Sequence, residues 1–383
     1  AGAWCGQNKY LSAIKNAFQN FMPLTIAGAI GVLWCNVLVN DQTGLGLFFK
    51  PIMALDFLNP AFQAVNFCTI SCITVGITLG IAQEIGVWNM GAERAGYIPG
   101  LVGLAAWLSV TNTSHMVEGA KEAFTGIAGN ELGATGLFTG MIIGVLSVEL
   151  FCFFEKQDAL KIKMPEQVPP GVARAFEVLV PATITLIITA CIGSACYNLT
   201  GLYLNDVIKN GIQGPLGAVG ATIPGVMIIY LVIMLFWLVG IHGNNMLSAV
   251  KEALFTPLAL ENVEKFNKGE KPTNIINMYF LQMCGEFGGS GVTIGLVIAI
   301  MIFGKREDNK AIASLSLVPG LFNINETVTF GIPMVLNPIL GIPFVFACLV
   351  TILVGYVLTV IGFCPVACLT VPWTTPPIVF GFL

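Results

Sequence analysis

Apolar residues run through this chain in blocks of about 20, the length that crosses a hydrocarbon core, and polar residues gather between the blocks. The pattern predicts membrane-spanning helices near residues 22 to 40, 61 to 83, 95 to 112, 134 to 154, 177 to 199 and 223 to 240, with a long one at 338 to 361. Ahead of the first, Asn8 to Phe21 is patterned differently. At about 100° per residue Tyr10, Ile14, Ala17, Phe18 and Phe21 share one face, with Ser12, Lys15, Asn16, Gln19 and Asn20 opposite. That predicts an amphipathic helix lying in the interface before the first span. A second short interfacial helix is expected at Leu202 to Ile212, bounded by Gly201 and Gly211. Gly28 and Gly31, and Gly76 with Gly80 at GxxxG spacing, read as close-packing positions.

The second half is less regular. The span ending at 240 runs into GIHGNN, and a polar stretch follows with Lys251, Glu252, Glu261 and Glu264. Two charged turns, KFNKGEKP from Lys265 to Pro272 and GKREDNK at 304 to 310, bracket an apolar stretch containing Glu286 and a GGSG run at 288 to 291. If both turns face the same side, the stretch between them makes two short passes or a hairpin. GGSG could cradle a phosphate through its amides; a flexible hairpin tip is the simpler role. Beyond lies LFNINETVTFGIPMVLNPILGIPF, Leu321 to Phe344. Gly331, Pro333, Pro338, Gly341 and Pro343 cannot all lie in one straight helix, so part of this stretch is broken or re-entrant backbone, which survives at membrane depth only against protein or water.

Composition fixes the class. Charged residues make up 10% of the chain and apolar ones 56%, mean hydropathy is +0.83, and soluble domains carry about 25% charge. A net charge of -4 with scattered basic residues excludes a nucleic-acid surface. The 11 cysteines lie mostly in apolar runs and lack metal-ligand spacing with His, so they read as packed thiols and no metal is expected. There is no GxxxxGK[ST] loop, hence no nucleotide-driven pump, and no cofactor is called for. AGAWCGQNKY does not look like a cleavable leader.

Basic residues occupy alternate loops: Lys9 and Lys15, then Arg94, then Lys156, Lys161, Lys163 and Arg174. These loops and the N-terminus are therefore expected in the cytoplasm. Lys50 and the stretch with Glu118, Lys121, Glu122 and Glu131 then face outward, with His115 there as a solvated loop residue. The loop from Glu155 to Gly171, with Pro165, Pro169 and Pro170, is the expected domain linker.

Glu326 is the residue that demands an explanation, because a carboxylate at membrane depth costs roughly 2.5 to 3.5 kcal/mol unless it is paired or faces a polar cavity. Asn323 and Asn325 beside it suggest a sugar-sized polar pocket; a structural carboxylate satisfied by amides at a helix start is the other reading. His242, between Gly240 and Gly243, is either packed on a carbonyl or joined with Glu326 in a polar constellation, to which Asn244 and Asn245 can add amide groups. Trp237 and Trp373 flank the same segments. Their indoles suit the C–H face of a pyranose or serve as interfacial anchors. Trp373, in VPWTTPP with Thr374 and Thr375, is the stronger ligand contact.

GIHG (240 to 243), PGLFNINE (319 to 326), FGIPMVLNPILGIPF (330 to 344) and PWTTPP (372 to 377) together resemble enzyme IIC, the membrane subunit of bacterial phosphoenolpyruvate-dependent sugar phosphotransferase systems, in its lactose, cellobiose and diacetylchitobiose branch. The likeness spans nearly the whole chain. It departs at Thr327, where the family usually has Pro, and at the tail, where members usually continue into a further helix, so the sequence is expected to stop short of the family's length. The resemblance implies an all-α polytopic protein of the bacterial inner membrane with about ten transmembrane helices, two re-entrant hairpins and interfacial amphipathic helices. It implies a homodimer with a scaffold at 1 to 175, joined by the span at 177 to 199, and a transport domain at 176 to 383. It implies a β-linked disaccharide as substrate, cytoplasmic IIB and IIA as partners, and a role within a phosphotransferase complex rather than as a free-standing enzyme. Carried over by motif, Glu326 and His242 meet the reacting end of the sugar, Trp373 stacks on a ring with Thr374 and Trp237 near it, and Asn325, Asn323 and Asn244 line the pocket.

Glu326 would then position the 6-hydroxyl of the sugar or take its proton as IIB phosphocysteine donates phosphate, in a reaction dominated by positioning and charge. An ion-coupled disaccharide symporter, with Glu326 as the proton site, is the alternative. A structural or receptor membrane protein leaves Glu326 and His242 unexplained.

Overall fold

A computed structural model describes residues 8–41, 45–115, 124–165, 167–332, 334, 337–369 and 371–382. Among them the chain is helical apart from turns and one two-residue antiparallel pair, β1 (Ser114–His115) with β2 (Phe124–Thr125). His115 therefore sits on a small β-pair, half-buried with its ring 5.6 Å from that of Phe124. The principal helices are α1 Lys9–Leu33, α2 Asn59–Asn66, α3 Ile73–Met90, α4 Ile98–Val110, α5 Ala134–Glu155, α6 Pro170–Thr200 and α7 Ile223–Leu238. They continue with α8 Ser248–Asn267, α9 Met278–Gly285, α10 Thr293–Phe303, α11 Glu307–Leu321, α12 Glu326–Gly331 and α13 Pro338–Val360. The expectations for AGAWCGQ, Glu118, Lys121, Glu122 and Pro333 lie outside the described residues.

Among the described residues, 4 helices are long and apolar enough to cross a membrane, or up to 6 if each of two bent pairs is one span. Two more apolar helices, Ile98–Val110 and Thr293–Phe303, are shorter. Several boundaries differ from those predicted. The amphipathic segment and the first span are one continuous helix, α1, with Pro23 inside it, rather than two elements. α6 begins at Pro170, not 177, because Arg174 and Glu177 are paired and so do not interrupt it. The predicted span at 61 to 83 is interrupted at Cys72. The stretch at 202 to 212 is helical over Leu204–Ile208 and Lys209–Gln213.

The chain divides into two compact units. One comprises Gln7–Thr25 and Phe67–Pro215. Its core is a helix packing of small residues. α3 buries Ile73, Ile77, Ile81 and Ile85 at fourfold spacing, with Thr74 and Thr78 beside them. Gly103 of α4 lies against Ala82, and Gly140 and Gly144 of α5 against Thr78; a side chain at any of the three would collide with α3. Gly76 and Gly80 do the same for α1, against Phe21 and Ala17. Polar ties reinforce this face: Asn16 donates to Glu84 at 2.8 Å, and Lys9 pairs with Glu149 at 2.5 Å. At the helix ends the buried Glu155 carboxylate holds Arg94 at 2.8 Å and Arg174 at 2.9 Å, so both ends of the Pro-rich 155 to 171 loop are tied together.

The described part of the other unit comprises residues 26–41, 45–66, 216–332, 334, 337–369 and 371–382. α7 buries Val226, Tyr230, Ile233, Met234 and Trp237 along one stripe, and α13 lies against it, with Gly341 packed on Leu238. As the span expected at 338 to 361 requires, α13 runs unbroken through Gly341 and Pro343. A break falls at 322 to 325, the helix after it ends at Gly331, and Pro338 opens α13, where a missing N–H costs nothing.

Candidate functional site

Two helix ends deliver the central pair. At the end of α7, Gly240 takes φ 81°, its N–H bonds the Trp237 carbonyl at 3.0 Å, and the Ile241 N–H bonds Phe236 at 2.9 Å. This is a Schellman closure, which needs a left-handed residue at the turn. The chain then reverses, and His242 caps the next turn: its Nδ1 accepts the Asn245 N–H at 3.2 Å. Gly243 has no room for a side chain against the Ile233 backbone. With Nδ1 acting as acceptor, the neutral imidazole carries its proton on Nε2. That nitrogen lies 3.5 Å from Glu326 Oε1.

At the end of α11 the same closure recurs with Asn in the left-handed position. Asn323 has φ 62°, its N–H bonds Gly320 at 3.1 Å, and Ile324 bonds Pro319 at 3.0 Å. Its side chain is a three-way brace: Oδ1 accepts Gly288 N–H at 2.8 Å, and Nδ2 donates to the carbonyls of Trp373 at 2.5 Å and Thr375 at 3.0 Å. Asn325, 3% exposed, donates to the Ser290 carbonyl at 2.8 Å and to Thr329 Oγ1 at 3.2 Å. Glu326 then opens α12. Its side chain is 47% exposed and that of His242 34%, so the carboxylate faces open space beside the imidazole instead of being buried. Among the described residues its polar partner is His242, not a row of backbone amides.

Trp237 is fully buried. Its ring centroid lies 4.3 Å from that of His242, 6.2 Å from Phe330 and 6.5 Å from Phe344, so the indole forms the floor under the imidazole. Trp373 is 44% exposed on a turn closed by Thr375 N–H to Pro372 at 2.8 Å, with Thr374 half-buried in it. The Asn323 brace fixes that turn to the residue three before Glu326. Asn244 lies two residues after His242 and donates to Ser290 Oγ at 2.8 Å.

The GGSG run is not a flexible tip. Gly288, Gly289, Gly291 and Val292 take φ of 66°, 92°, 79° and 57°, a path open chiefly to glycine. A side chain at Gly289 would strike Asn325, and one at Gly291 would strike Phe344. Ser290 sits between two amides, its hydroxyl bound by Asn244 and its carbonyl by Asn325. Behind it is a charged cluster that the chain pattern did not group: Lys251 Nζ meets Glu286 Oε1 and donates to Asn244 Oδ1 at 3.3 Å, and Tyr230 donates to Glu286 at 2.9 Å. The signal was present in Glu286 itself, an ionisable residue inside an apolar run.

A helical chain with several membrane-length apolar helices, a carboxylate–imidazole pair open to space, and an exposed indole on a turn bonded to Asn323 has the makings of a membrane carrier for a polar solute. The family model described as "Phosphotransferase system, EIIC" matches residues 15–348, and the chain belongs to that family. It is 33% identical to the oligo-beta-mannoside-specific EIIC component of Bacillus subtilis, over 98% of this chain and 83% of that one. It is 29% identical to the cellobiose-specific EIIC component of Lactococcus lactis, over 99% and 88%. The crystal structure of the transporter ChbC, the IIC component from the N,N'-diacetylchitobiose-specific phosphotransferase system, superposes with a TM-score of 0.90 at 29% identity, covering 100% of this chain and 88% of that one.

Proposed function

We propose that this protein carries a β-linked disaccharide of the cellobiose, lactose or diacetylchitobiose type across a bacterial inner membrane and holds the sugar's 6-hydroxyl for phosphorylation by the IIB partner. The observation that carries the reading is the His242–Glu326 pair at 3.5 Å, half open to space, with the exposed Trp373 on a turn bonded to Asn323. In the reaction the 6-hydroxyl oxygen attacks the phosphorus of phosphocysteine on IIB. The O–P bond forms, the S–P bond breaks, the thiolate stays on IIB and the hydroxyl proton passes to the Glu326 carboxylate. His242 holds that carboxylate through Nε2–H, and Trp237 holds the imidazole from below. Trp373 and Thr374 contact a sugar ring. Asn244 retains one free N–H, while Asn325 and Asn323 shape the pocket wall by fixing the loops on either side. Phosphoryl transfer of this kind is mainly positioning and charge stabilisation.

The names of the relatives support this substrate class, and the architecture we assign is the one the family resemblance implies: a homodimer, N-termini in the cytoplasm, about ten spans, an N-terminal scaffold, and a C-terminal transport domain with two re-entrant hairpins. In that domain the α10–α11 pair, joined by the charged GKRE turn, is one hairpin. The test is the purified protein in liposomes with energised IIB and IIA, given labelled cellobiose, lactose and diacetylchitobiose in parallel. Sugar phosphate is expected from one of them, and its loss in Glu326→Gln, with sugar binding kept, assigns the base. Accumulation of unmodified sugar driven by a pH gradient alone would replace the reading with proton symport.

A further inference from the structure

We propose that Lys251 is a positioning residue for the reaction at Glu326, acting through Asn244 and Ser290; the inference rests on the reading above. Lys251 is 6% exposed, and its ammonium has only donors to offer. It gives one to Glu286 and one to Asn244 Oδ1. The amide of Asn244 is thereby oriented without ambiguity: its oxygen faces the ammonium and its nitrogen faces Ser290 Oγ. Ser290 Oγ, having accepted, keeps its own proton to donate. The Ser290 carbonyl in turn takes the Asn325 amide. A single relay, Glu286–Lys251–Asn244–Ser290–Asn325, thus begins at a buried ion pair and ends on the residue preceding Glu326 in the chain.

Stability alone is a poor reason for such a relay. A buried ion pair is often no better for folding than an apolar replacement of similar volume, even where, as here, its carboxylate also takes the hydroxyl of the buried Tyr230. What the pair holds is loop backbone. Gly288, Gly289, Gly291 and Val292 all lie at left-handed φ, and among the described residues Ser290 is tied to the facing segments by these two amides. Release of Asn244 from Lys251 lets its amide turn over, which brings the oxygen to Ser290 Oγ in place of the N–H, so that Ser290 must donate instead of accept and shifts relative to Asn325. A displacement of that kind at a site working by positioning lowers turnover more than it lowers affinity.

The test uses the full chain in detergent with phospho-IIB, reading sugar phosphate at saturating sugar, KM, equilibrium sugar binding without IIB, and thermal unfolding. The Lys251→Met/Glu286→Gln double variant removes both charges together and so leaves no unpaired ion. It is expected to unfold near the wild-type temperature and bind sugar within threefold, with kcat lowered tenfold or more. Lys251→Arg, which keeps the donors, is expected to recover most of that loss. Should the double variant fail to fold, Ser290→Ala, which breaks the relay and spares the ion pair, is expected to give the same split. Wild-type kcat in the folded double variant, or in Ser290→Ala where the double does not fold, overturns the proposal, as does a loss confined to KM. If wild type itself makes no sugar phosphate, the functional reading fails instead, and the two failures are told apart by that control.

Discussion

The ends of α7 and α11 close with the same hydrogen-bond pattern and present the two halves of the site, yet one uses Gly240 and the other Asn323 in the left-handed position. Glycine occupies that conformation freely, whereas a residue with a Cβ pays roughly 1 to 2 kcal/mol. Asn323 recovers the cost through three side-chain bonds, to Gly288, Trp373 and Thr375. Gly240 has no such duty, because the next residue but one, His242, does its own bonding through Nδ1. The difference teaches that one end only turns the chain, while the other turns it and joins three segments. Glu326, with one polar neighbour of its own, depends on that joining more than His242 depends on its glycine.

The comparison can be broken at its tips first. Glu326→Gln is expected to lower sugar phosphorylation by about 10² to 10⁴, the range of a lost general base, and His242→Gln by less, since it removes only the support; single-turnover assays with phospho-IIB measure both. Next is the brace. Asn323→Ala is expected to cost about 1 to 3 kcal/mol, from three lost side-chain bonds to exposed or half-buried partners and from a left-handed position that Ala tolerates less well than Asn, seen as a lower melting temperature in detergent. Asn323→Gly sharpens the point by relieving the strain without restoring the bonds. It should melt above the Ala variant yet bind sugar as poorly, since the Trp373 turn stays untied, and calorimetry would separate the two effects. Smallest is Gly240→Ala, at about 1 to 2 kcal/mol of stability with kcat per folded molecule near wild type. Equal losses for Asn323→Gly and wild type, meaning none, would show that the brace holds nothing that binding uses.

Much of this was legible in the sequence because its signals are local. Apolar blocks gave α5, α7 and α13 nearly to the residue, since a membrane helix satisfies its own backbone and needs no partner to exist. Gly76 and Gly80 were legible as packing positions, though not their partners Phe21 and Ala17. Glu326 and His242 stood out as ionisable residues in apolar surroundings, and the structure places them together. The rest was illegible where long-range bonding decides. GGSG looks loose as a string and is rigid only because Asn244, Asn323 and Asn325 reach it from 35 to 46 residues away. Trp237 and Trp373 look alike in sequence, and burial alone separates floor from face. The degree of exposure of Glu326 was not legible either, because hydropathy reports the average depth of a segment and not the opening beside one side chain.

The contact between Trp237 and His242 has an optical consequence. Of the protein's 6 tryptophans, this one has an imidazole in ring contact at 4.3 Å, and a protonated imidazole at that range quenches indole emission. A proton gained or lost at His242 is therefore written into the fluorescence of a buried ring. The protein carries its own reporter of that proton, readable without a label.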